Sequence, residues 1–78
     1  MWEIFEDTGY KDHFLSVYKY VEDGNVSDDF EIRVREGNGL DDTGEWSEAI
    51  YIDHCDSHSA AMAIGKAFVM GIHTGRDK

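Results

Sequence analysis

Phe30, Ile32 and Val34 alternate with Glu31, Arg33 and Arg35, the clearest period of two in the chain, and this pattern predicts a half-buried antiparallel strand. The run His13 to Val21 is rich in β-branched and aromatic residues. It reads as a second strand, with Leu15, Val17 and Val21 on one face and Phe14, Ser16, Tyr18 and Tyr20 on the other. Trp2 to Glu6 forms a short first strand ended by a Thr8-Gly9 turn, and Trp46 to Asp53 a fourth, with Ile50 and Ile52 facing opposite to Ala49 and Tyr51. Asp23-Gly24-Asn25 supplies turn chemistry after the second strand, and a long loop from Gly37-Asn38-Gly39 to Thr43-Gly44 follows the third.

From Ser57 the period changes. Ala60, Ala61, Ile64, Ala67, Phe68 and Ile72 fall in one broad helical stripe, with Asp56 or Ser57 as N-cap and Gly71 or Gly75 at the end. The expected architecture is a single compact α+β domain over residues 1–78, ββββα in order. Its four-stranded antiparallel sheet lies within residues 2–53, and one C-terminal helix over about 57–73 packs on one face. The other side of the helix carries Met62, Val69 and Met70, which either meet flanking strands and loops or form a partner or dimer contact. One helix covers one face of such a sheet, so the opposite face is expected to present some of Phe5, Tyr18, Tyr20 and Tyr51 among Glu3, Glu31, Arg33 and Arg35.

Charge changes this picture most. The 78 residues hold 17 acidic side chains against 7 Lys or Arg, a formal charge of −10. Sixteen of the acids lie in residues 1–56, with only Lys11, Lys19, Arg33 and Arg35 to oppose them, a local balance of −12. At 41% hydrophobic and 13% aromatic the chain is too apolar for a disordered acidic tail. Cys55 is the lone cysteine, so no internal disulfide is possible. With no apolar run approaching the roughly 18 residues of a membrane span, a soluble cytoplasmic protein is expected.

Candidate chemistry is sparse. Asp53-His54-Cys55-Asp56-Ser57-His58 gathers potential metal ligands and a thiol. A continuous helix would put His54 and His58 on one face at a zinc-holding spacing, but a strand end at His54 breaks that geometry, and a strand-to-helix junction needs polar caps in any case. Cys55 and His58 lack an orienting third group. Gly37-Asn38-Gly39 runs into Asp41-Asp42, which would repel phosphate. No catalytic residue, metal or cofactor is therefore expected.

The carboxylates are the remaining signal. Glu22, Asp23, Asp28, Asp29, Glu31, Asp41, Asp42, Glu45 and Glu48 are the candidate partner-binding residues, because clustered charge on so small a domain attracts basic proteins and speeds encounter with them. Solubility and a salt-adapted source are the competing explanations. Direct nucleic-acid binding is disfavoured by the negative field.

A compact chain with a few strands, one helix, acidic clusters at Asp28-Asp29-Glu31 and Asp41-Asp42-Glu45 and no catalytic motif resembles the small phage-encoded anti-CRISPR proteins, particularly inhibitors of type I Cascade complexes. The likeness spans the whole chain and rests on no specific motif. It implies a non-enzymatic protein, active in the host cytoplasm as a monomer or weak homodimer. Such a protein occupies the basic surface where a Cascade subunit holds target DNA, in some cases by mimicking DNA with its carboxylates. An antitoxin-like or other protein-binding regulatory module is the alternative class, and a small metal-binding or Cys/His-dependent enzyme the third.

Overall fold

The computed structural model describes residues 1–76. Four strands, β1 (Trp2–Tyr10), β2 (His13–Glu22), β3 (Asn25–Glu36) and β4 (Tyr51–Cys55), precede one helix, α1 (His58–Arg76). The strands pair in the order β1-β2-β3-β4, every neighbour antiparallel, and α1 crosses one face: the α+β, ββββα architecture that the hydrophobic periods predict.

Two tight hairpins build the sheet. Lys11 and Asp12 have φ of 47° and 62°, and Asp23 and Gly24 have 51° and 79°. Both pairs are two-residue connections with positive φ at each central position, the twist that right-handed strand pairs need. The first hairpin corrects the sequence reading. β1 continues through Thr8-Gly9 to Tyr10, and a lysine occupies the left-handed position where glycine or asparagine would have signalled the turn. Its register shifts between Ile4 and Glu6, a bulge that turns Phe5 toward Phe30 and His58.

The fourth strand also differs from expectation, starting at Tyr51 instead of Trp46 and running on to Cys55. Before it, Trp46 makes only an isolated bridge to Leu40, and the Ile50 amide donates to the Val34 carbonyl at 2.8 Å. Apolar alternation over 46–50 thus marks a loop held against the sheet, not a ladder.

The core lies between the sheet and α1, where Leu15, Val17, Ile32 and Val34 pack on Ala61, Met62 and Val69. Ser57 caps the helix: its hydroxyl accepts the Ala60 amide at 3.1 Å. α1 passes through both Gly71 and Gly75, neither of which ends it. The stripe is rotated from the predicted one. Met62 and Val69 face the core while Ala67 is exposed, so of the apolar residues expected on the outer side only Met70 remains there. Gly65 explains the rotation, since a Cβ there would lie 2.9 Å from two side-chain carbons of Ile32; the helix backbone rides directly on β3 at this point. Tyr51 and Phe68 stack at 4.3 Å and 9°, closing the β4 side.

Candidate functional site

The sheet face away from α1 is formed by residues one step out of phase with the core. Register aligns Tyr18 with Glu31 and Glu31 with His54, and likewise Ser16 with Arg33 and Arg33 with Ile52. Two aromatics expected here lie on the other side: Tyr51 stacks on the helix, and the bulge places Phe5 against His58. Tyr18 is on this face but buried, with the Arg33 guanidinium 4.2 Å above its ring. Trp2 on β1 meets Tyr20 edge-on at 5.2 Å and reaches His54 on β4 at 5.7 Å. Rings from the first and last strands are thus in contact, so the sheet curls over Glu31 and offers no flat aromatic platform.

Glu31 stands apart from the other candidate carboxylates. It is only 6% exposed, pairs with the Nε of Arg33 and lies 3.1 Å from His54 Nε2. Its charge is engaged within the fold. Glu22, Asp23, Asp28 and Asp29 are exposed at the β2–β3 hairpin end, where several of them border a shallow groove of about 450 Å³ with Tyr20 and Val26. Asp41, Asp42, Glu45 and Glu48 are exposed on the loop after β3. The twelve residues of β3 separate these ends by roughly 36 Å, so these eight carboxylates fall into two groups.

The loop patch is built on a local hydrogen-bond framework. Asp41 Oδ1 accepts from the Thr43 amide at 2.8 Å, the Thr43 hydroxyl at 2.6 Å and the Glu45 amide at 3.1 Å. The Thr43 hydroxyl, followed by these amides, holds the Asp41 carboxyl below the usual carboxylate range. Ser47 ties the loop base down, donating from both amide and hydroxyl to the Gly39 carbonyl and accepting from Arg35 Nε at 2.8 Å. Trp46 stacks on Phe14 at 5.5 Å, with the buried Arg35 guanidinium 5.0 Å from its ring. The Arg35-Trp46-Phe14 assembly is not legible in the sequence, because the apolar alternation around Trp46 reads as a strand. The signal available was the glycine pair flanking Asn38, followed by Asp41 five residues before Trp46.

The Asp53–His58 segment does not converge. His54 faces the curled side of the sheet, His58 lies with Phe5 and Phe30 on the helix side, and Cys55 is half-buried between them. Among the described residues no three His, Cys, Asp or Glu side chains are grouped to hold a metal ion. Burial pushes the Cys55 thiol upward, away from a reactive thiolate. The Asp53 carboxyl is held low by the His54 amide and the Tyr51 hydroxyl, and that same hydrogen bond to Asp53 raises the Tyr51 phenol.

No helix among the described residues is long and apolar enough to cross a membrane. Comparison with protein-family models, with curated proteins and with solved structures gave no match to this chain.

Proposed function

We propose that this protein is a non-catalytic inhibitor that binds a basic, nucleic-acid-binding host complex stoichiometrically through its exposed carboxylates, a type I Cascade being the instance suggested by its resemblance to anti-CRISPR proteins. One observation carries the reading. Among the described residues the ion pairs all involve Glu31, and Glu22, Asp23, Asp28, Asp29, Asp41, Asp42, Glu45 and Glu48 take part in none. Eight exposed charges with no cationic partner among the described residues repel one another and weaken the folded state, whereas against a lysine-rich channel they displace counterions and strengthen association. The two patches lie at opposite ends of a body 47 Å long, which suits contact with an extended basic surface more than with a single pocket. The site acts by occupancy and needs no cofactor.

Calorimetric titration into a purified Cascade tests this. Binding should saturate at a fixed stoichiometry and weaken steeply as added salt brings the Debye length below roughly 10 Å, while the protein alone should bind neither DNA nor RNA. Salt-insensitive binding, or direct binding to nucleic acid, would count against it.

A further inference from the structure

Leu40, Trp46 and Ile50 are 44%, 46% and 41% exposed, three large apolar residues on the one segment that also carries the exposed Asp41, Asp42, Glu45 and Glu48. The loop has little freedom to bury them. Leu40 and Trp46 are bridged, Asp41 fastens the intervening turn, and Gly39, at φ 84°, leaves space only for the Phe14 and Trp46 rings, each 3.0 Å from where its Cβ would stand. Phe14 stacks on the Trp46 ring and the Arg35 guanidinium lies 5.0 Å from it, yet the residue keeps 46% of its surface exposed. A preorganised aromatic with an apolar surround and a charged rim is the anatomy of an interaction hot spot, in which the centre supplies affinity and the rim sets partner choice.

We infer that this Trp46-centred patch, and not the β2–β3 hairpin end, is the primary docking surface, and that its occupant is an arginine- or lysine-bearing protein segment. The charge of the rim selects that occupant. The aliphatic stem of such a side chain and an apolar neighbour in the segment pack against Leu40, Trp46 and Ile50 while its cationic head meets the nearby carboxylates. The inference rests on the proposed affinity for basic proteins and adds where, and by which side chains, the contact is made.

Two twelve-residue peptides of equal charge serve as probes, one alternating Arg with Gly and the other Arg with Leu. A Trp2→Phe background leaves Trp46 as the fluorescent reporter. The Arg-Leu peptide should bind at least tenfold more tightly, shift Trp46 emission to shorter wavelength and perturb the amide resonances of residues 39–50. Leu40→Ser with Ile50→Ser should remove that tenfold advantage, with an unchanged thermal melt showing that the fold survives. Ile4→Ser with Ile52→Ser, equally exposed positions on β1 and β4, should leave it intact. Equal affinity for the two peptides, or resonance changes confined to residues 22–29, would overturn the assignment of the patch while preserving the affinity for basic partners. Absence of binding by either peptide at low salt would overturn both.

Discussion

His54 Nε2 lies 3.1 Å from Glu31 Oε1, across the β3–β4 pair, and Arg33 reaches the other oxygen of the same carboxylate from its own strand. A buried acid in a chain of charge −10 is thereby paired with the Arg33 guanidinium and set beside an imidazole that the strand register delivers to it. Glu31→Ala should lower unfolding free energy by about 2 to 4 kcal/mol, because the carboxylate is buried and charge-assisted. His54→Ala should cost less than about 1 kcal/mol, the imidazole being 60% exposed and its contribution screened. Urea denaturation of the two variants checks the ranking; equal effects would mean that Glu31 does not depend on burial.

Gly65→Ala should destabilise the protein even though alanine is the better helix former by about 1 kcal/mol. The new methyl would meet Ile32 at 2.9 Å, an overpacking worth roughly 1 to 3 kcal/mol. Both atoms met at that distance belong to Ile32, its Cδ1 and Cγ1, so Ile32→Val, which removes the Cδ1 methyl, should recover part of the loss. A double-mutant cycle measures that coupling, and simple additivity would place the contact elsewhere.

Much of this was legible in the chain. The alternation at Phe30–Arg35 and the change of period after Asp56 specify strands and a helix without reference to anything distant, and Asp23-Gly24 announces its own turn. The misplaced features depend on tertiary contacts. Nothing local shows that Lys11 accepts a left-handed backbone, that Gly65 marks a close approach, or that Met62 and Val69 rotate inward as a result. For the candidate site, the exposure of eight acids follows from their character, whereas the withdrawal of Glu31 into an ion pair follows only from its alignment with His54 and its nearness to Arg33.

Asp41 gives the loop an acid limit. Its carboxyl is held below its ordinary value chiefly by the Thr43 hydroxyl. A depressed folded-state pKa contributes stability that is fully present above the unfolded value and disappears as pH falls through the folded one. Amide exchange at Thr43 and Glu45 should therefore stay protected at neutral pH and remain so down to about the ordinary carboxylate range, with protection lost only below it. Asp41→Ala should abolish that protection at every pH, and retention of protection in the variant would remove Asp41 from its role.

Cys55 should react slowly with a disulfide reagent near neutral pH, since burial raises its thiol above the usual value and its Sγ faces the Ser57 carbonyl at 3.5 Å. Unfolding in urea should accelerate the reaction strongly. A fast reaction in the native state would indicate an activated thiolate and revive a nucleophilic role.

In the proposed function, exposed carboxylates make the contact with a basic host complex. The most direct test of that contact is displacement of fluorescently labelled target DNA from a purified type I Cascade by the wild-type protein and by two charge-reversed variants. One variant carries Lys at Glu22, Asp23, Asp28 and Asp29, the other at Asp41, Asp42, Glu45 and Glu48. Wild type should release the DNA with a sharp stoichiometric end point. The loop variant should lose that ability at moderate salt through slower association, and the hairpin variant should lose less. DNA that stays bound in the presence of a large excess of wild type, or full displacement by both variants, would rule out inhibition through these carboxylates.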